Sequence, residues 1–128
     1  MRRSGRFDAG ILAELDRAKI VGVRAGDSHR FTGVWVVVVA GRAFVRSWND
    51  SPTGWCEAFR HEPIGALQLG SRLIPTRAVQ VRSQRTRDAV TEAYARKYDT
   101  KASLKWVTGF ARPERARATV ELVPAATD

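Results

Sequence analysis

At roughly 100–200 residues per domain, the chain of 128 residues leaves room for one domain with short tails, and a single core can form at this size. Its 44% hydrophobic and 27% charged residues exclude a disordered chain, and the one cysteine, Cys56, excludes an internal disulfide framework. Twenty-two basic residues against 13 acidic ones give a net charge of +9, which points to an anionic ligand or surface.

Residues 1–6 read as a disordered basic tail, residues 7–124 as one domain and residues 125–128 as a C-terminal tail. No apolar run follows the tail as a signal sequence would require. The longest such run, residues 34–40, is far short of the ~20 that a membrane span needs. A cytoplasmic location is expected.

Asp8 is placed to cap a helix whose face carries Ile11, Leu12 and Leu15. Residues 19–24 alternate as a strand, and Ala25-Gly26-Asp27-Ser28-His29-Arg30 has turn composition. Residues 34–40 are apolar on both faces, so both sides of that strand should be covered. A tight turn at Gly41-Arg42 leads into a partner strand on which Phe44, Arg46 and Trp48 share one side. Ser51 and Pro52 read as the N-cap and first residue of a helix through Trp55 and Phe59, stopping before Pro63. Strands over 64–69 and 73–81 follow. Ser83 then caps a helix striped by Ala89, Val90, Ala93, Tyr94 and Tyr98. Leu104, Trp106, Val107 and Phe110 suggest a short helix before a turn at Pro113, and residues 118–124 form a last strand. Short hairpin connections predict a mainly β, antiparallel closed or split barrel of about six strands with added helices, an α+β arrangement.

The residues show no metal-ligand spacing and no nucleophile or phosphate-loop motif. Cys56 reads as an inert core residue, His29 as a solvated loop residue and His61 as a helix C-terminal cap. One segment stands out: Arg46-Ser47-Trp48-Asn49-Asp50-Ser51-Pro52-Thr53-Gly54-Trp55. It combines an arginine fork and hydroxyl donors with the flat faces of Trp48 and Trp55, as a nucleotide-like or flavin-like ligand would need. The same residues also read as a ridge of core tryptophans beside a capped helix. Burying Arg46 between Phe44 and Trp48 calls for an anion or a carboxylate to meet it, a ligand phosphate in the first case and Asp50 in the second. Arg82, Arg85 and Arg87 read as a solvated face at the start of their helix.

The hairpin over 34–48, the passage from Trp55 to Phe59-Arg60 and the strands over 64–81 together resemble the flavin-binding split-barrel superfamily. Ala93-Tyr94-x-x-Lys97-Tyr98 and Thr119-Val120-Glu121-Leu122-Val123-Pro124 add to that resemblance. Within the superfamily the chain is similar to a small bacterial family of uncharacterised proteins allied to deazaflavin-dependent nitroreductases. The resemblance implies FMN or a deazaflavin as cofactor, oxidoreductase chemistry and a homodimer. It puts the phosphate at Arg46 and Ser47, with Asn49, Ser51 and Thr53 as neighbours and Trp48 and Trp55 near the ring. The chain departs from the pattern at Arg24-Ala25-Gly26, where relatives carry a Lys-x-Gly loop, and at the single Gly54, where they carry paired glycines. Two other readings stand beside the oxidoreductase: a barrel that binds a small molecule without a cofactor, and a basic barrel that binds nucleic acid. The arginines are spread along the chain, which disfavours nucleic acid. No membrane partner is expected, and the exposed strip of Leu104, Trp106, Val107 and Phe110 would face a second subunit.

Overall fold

A computed structural model describes residues 5–48 and 53–125. Among them, seven strands form one sheet in the order β2-β1-β5-β6-β7-β4-β3, and every pairing is antiparallel. The strands are β1 (Val21–Ala25), β2 (Thr32–Val34), β3 (Val36–Val39), β4 (Arg42–Arg46), β5 (Ile64–Leu69), β6 (Arg72–Gln80) and β7 (Thr119–Pro124). The helices are α1 (Ala9–Arg17), α2 (Trp55–His61), α3 (Gln84–Lys97), α4 (Leu104–Phe110) and the single turn α5 (Pro113–Ala116).

The two edge strands, β2 and β3, are consecutive in the chain and separated only by Trp35. One extended run, residues 32–39, therefore pairs with β1 through its first half and with β4 through its second. This nearly closes the sheet into a barrel. It also explains the extra strand, because the sequence reading has a single strand over 34–40, whereas the structure extends the run back to Thr32 and breaks it at Trp35.

Alternation divides the core in two. Inside the barrel lie Val21, Val34, Val36, Val45, Leu67, Ala78 and Val120, one residue from each strand, with Leu15 of α1 and Phe59 of α2 packed against them. On the outer face, Val37 and Phe44 meet Val90, Ala93 and Tyr94 of α3 and Phe110 of α4. The run is thus covered on both sides, as its composition requires.

The hairpin from β3 to β4 turns through Ala40 and Gly41, both at positive φ (53° and 74°), which suits the twist of the flanking strands. Asp8 caps α1 by accepting from the Ile11 N–H at 2.9 Å, and Ser83 caps α3 by accepting from Thr86 at 3.2 Å. Helix α2 begins later than the sequence predicts. Its N-cap is Gly54, and Ser51 and Pro52 lie outside the described residues. Pro113 opens α5 at its first turn and is not a simple turn residue.

Breaking the extended run leaves backbone groups on its free edge, and α3 satisfies them. Tyr94 Oη donates to the Trp35 carbonyl at 3.0 Å. Tyr98 Oη accepts from the Val36 N–H at 3.2 Å and donates to the Lys19 carbonyl at 2.6 Å. Lys97 Nζ donates to the Val36 carbonyl at 2.7 Å and to Leu15 O, near the end of α1, at 3.0 Å. The Trp35 ring stacks on Tyr98 with centroids 3.9 Å apart. The Tyr94-x-x-Lys97-Tyr98 spacing is therefore explained by sealing a sheet edge.

Arg46, at the end of β4, is 2% exposed and ties four elements together. Its Nε donates to Thr119 Oγ1 of β7 at 2.8 Å. Nη1 donates to Thr91 Oγ1 of α3 at 2.8 Å and to the carbonyl of Phe110, the last residue of α4, at 2.7 Å. Nη2 donates to the Arg87 carbonyl at 2.9 Å. Neutral oxygens and a helix C-terminus thus meet the buried charge, where the sequence reading calls for an anion or a carboxylate. Burial lowers the Arg46 pKa, Tyr94 opposes this, and Arg87 adds to it.

Removing the guanidinium deletes several charged hydrogen bonds of about 1.5–3 kcal/mol each. Arg46→Ala is therefore expected to cost about 3 kcal/mol or more in urea unfolding, and Arg46→Lys, which lacks the fork, to recover only part of it. An unchanged unfolding midpoint in Arg46→Ala would show that these contacts do not hold the helices. The tyrosines give a second test. The chain has two, and burial pushes Tyr98 up to about 12 and raises Tyr94 as well. The folded state keeps both protons where the unfolded chain loses them near pH 10, so stability should fall as pH rises from about 10 towards 12. Phenolate absorbance of the native protein should stay flat through pH 10 and appear on unfolding.

Candidate aromatic pocket

A pocket of about 640 Å³ opens where the broken run, the end of β4, the start of α2 and one side of α4 converge. Trp35 comes from the break, Trp48 follows β4, Trp55 opens α2 and Trp106 lies on α4, so all four tryptophans of the chain line it. Phe110 joins them. Trp48 meets Trp106 and Phe110 edge-on, with centroids 5.0 and 5.3 Å apart, and Phe110 meets Trp35 edge-on at 6.0 Å. Ile20 and Trp106 are exposed at 58% and 42%, which leaves apolar surface open to solvent at the pocket.

Trp48 is fixed from several sides. Arg115 lies 3.8 Å over its ring and donates Nε–H to its carbonyl at 2.7 Å. On another side is Gly109, where an added Cβ would come within 2.3 Å of the indole edge. The polar lining is Thr32, Ser47, Thr53 and Arg46, whose guanidinium is committed to protein oxygens. Among the described residues the lining has no carboxylate, histidine, cysteine or lysine.

Five of the seven sequence-predicted site residues, Arg46, Ser47, Trp48, Thr53 and Trp55, line this one pocket. Asn49 and Ser51 lie outside the described residues, as does Asp50. Phe44 shares the strand face of Trp48 but is buried beneath α3 and does not line the pocket. Sequence reasoning missed Trp35, Trp106 and Phe110. Trp35 was hidden inside an apolar run that reads as core. The strip on α4 divides: Leu104 and Trp106 are exposed, whereas Val107 and Phe110 pack into the outer core.

Beside the pocket, Arg24, His29 and Arg30 line a smaller cavity of about 170 Å³ that shares Thr32, Thr53 and Trp55 with it. The Arg24 guanidinium stacks over Phe31 at 4.5 Å. His61 sits 3.0 Å from Glu57 on the exposed side of α2, which carries Arg60 and His61 in its last turn. Cys56 is buried in the barrel core. No helix among the described residues is long and apolar enough to cross a membrane.

The fold resembles the crystal structure of a conserved hypothetical protein, Rv2991, from Mycobacterium tuberculosis. The TM-score is 0.60 at 12% identity, over 100% of this chain and 86% of that one, so the likeness is one of fold. No curated protein matches the chain. A family profile matches residues 12–122, which span α1 to β7 and hold every described lining residue of the aromatic pocket. The chain belongs to a family of uncharacterized proteins conserved in bacteria (DUF2255).

Proposed function

We propose that the protein binds a planar, phosphate-bearing cofactor of the flavin or deazaflavin type in the aromatic pocket and serves as a small oxidoreductase. The observation that carries this reading is the gathering of all four tryptophans and Phe110 around one open cavity of about 640 Å³. Flat aromatic faces with a few hydroxyls beside them suit a ring system bearing one polar edge. A bound cofactor of this type supplies hydride chemistry, and the protein supplies orientation and electrostatics. The absence of an acid–base group among the described lining residues is compatible with that division.

In this reading Trp48 and Trp106 pack against the ring, and the Ser47 and Thr53 hydroxyls serve its polar edge, with Asn49 and Ser51 as neighbours. Arg46 is a positioning residue. It holds Phe110 and the end of α4 over the cavity through the 2.7 Å bond to the Phe110 carbonyl. The resemblance to split-barrel flavoproteins supports the same ligand class. The cofactor-free reading keeps the pocket and changes only its occupant.

Titration of FMN, riboflavin and a deazaflavin, followed by flavin and tryptophan fluorescence, separates the two readings. Saturable quenching at one ligand per chain is expected. Trp48→Ala should weaken binding by about 0.5–1.5 kcal/mol, the worth of an aromatic pair. An unperturbed visible spectrum with every flavin would leave the cofactor-free reading in place.

A further inference from the structure

Two more cavities lie in series beside the aromatic pocket, the first adjoining it and the second adjoining the first, and arginine dominates both. The first, about 450 Å³, shares Ser47 and Trp48 with the aromatic pocket and is lined by Arg60, Glu114, Arg115 and Arg117. The second, about 480 Å³, shares Arg60 and Arg117 with the first and adds Arg82 and Arg87. Arg60 of α2, Arg87 of α3, Arg115 of α5, and Arg82 and Arg117 of the connections flanking α3 and α5 therefore line two neighbouring cavities joined at Arg60 and Arg117, with one carboxylate among the described lining residues. That carboxylate, Glu114, accepts from Arg112 Nε at 3.0 Å.

Three of the cations are oriented by the protein. Arg60 donates to Glu57 at 2.7 Å, Arg87 donates to the Val81 carbonyl at 3.0 Å, and Arg115 is held against Trp48. Arg82 and Arg117 are exposed, and neither pairs with a carboxylate among the described residues. Like charges gathered in a concavity repel one another and focus a positive field, which a multivalent anion relieves. Guanidinium forks match phosphate oxygens, and two linked cavities with Arg60 and Arg117 at their junction suit more than one phosphate.

We infer that this concavity is an oligophosphate site, and that the ligand is an aromatic ring joined to a diphosphate or longer chain. The phosphates enter past Ser47 and Trp48 and lie along Arg117, Arg60 and Arg82. The anion half stands on the arginines alone; the aromatic half rests on the reading of the tryptophan pocket given above.

Calorimetric titration with inorganic pyrophosphate tests the anion half without any ring. Pyrophosphate should bind saturably and more tightly than orthophosphate. Arg117→Glu should weaken it by roughly tenfold to a hundredfold with an unchanged melting temperature, because the side chain is exposed. Arg96→Glu makes the same charge change on an exposed part of α3 outside both cavities and should have little effect. No binding of pyrophosphate, or equal losses in the two variants, overturns the inference. A single-stranded oligonucleotide that binds more tightly than pyrophosphate, and tighter still with length, also overturns it in favour of a nucleic-acid surface. FMN and riboflavin keep the two claims apart. Pyrophosphate binding without either flavin leaves the anion site and removes the ring reading. Equal binding of both flavins without pyrophosphate does the reverse.

Discussion

The pocket depends on one buried cation. Arg46 ends β4 and reaches β7, two residues of α3 and the last carbonyl of α4 at 2.7–2.9 Å. A guanidinium is suited to this because its donors lie in a plane and diverge, so one side chain can bind separate elements at fixed angles. Desolvating the charge is costly, and several neutral acceptors and a helix C-terminus offset that cost together. The consequence is geometric. Helix α4 has only seven residues and could not hold its place by its own backbone bonds. Anchored at its C-terminus, it presents Trp106 and Phe110 to the pocket lined by Trp48 and Trp55.

Closure of the barrel and formation of the pocket are the same event in this chain. The run over 32–39 changes partner at Trp35 without losing its alternation: Val34 and Val36 face the barrel interior, and Trp35 packs with Val37 on the outer face. Here its carbonyl goes to Tyr94, and its ring lies between Tyr98 and Phe110 while still lining the cavity. The Tyr94, Lys97 and Tyr98 side chains thus do two things. They satisfy backbone groups that the sheet leaves unpaired, and they fix the aromatic wall. Lys97 is held in place at the cost of partial desolvation, and burial lowers its pKa against the pull of Asp16.

Much of the fold was legible because it rests on local signals. The Asp8 and Ser83 caps, the short hairpin turns and the apolar run with both faces covered each leave a mark within a few residues. The site was legible where it is contiguous, from Arg46 to Trp55. What could not be read is what distant chain brings to it. The bonds of Arg46 span 41 to 73 residues, so nothing near position 46 announces that neutral oxygens will meet it. Trp106 and Phe110 belong to a short helix whose placement is tertiary. Trp35 was masked by its neighbours, since an indole at the head of a valine run has the same pattern whether it packs inward or lines a cavity.

The distribution of arginine carries the last step. The net charge of +9 points to an anionic ligand or surface but does not place it, because along the chain the arginines are spread almost evenly. The fold sorts them. Arg46 is buried and spent on protein oxygens, Arg42 pairs with Glu121 at 2.8 Å across β4 and β7, and Arg72 pairs with Glu14 on the surface. Arg60, although paired with Glu57, converges with Arg82, Arg87, Arg115 and Arg117 from separate elements on two neighbouring cavities, the first of which opens beside Trp48. Arg60, Arg87 and Arg115 have structural partners in Glu57, the Val81 carbonyl and Trp48. Arg82 and Arg117 pair with no carboxylate among the described residues, and each added like charge there raises the energy of the folded state. The aromatic wall and the cationic trough meet at Ser47 and Trp48. A ligand that used both would therefore be flat and apolar at one end and multiply charged at the other.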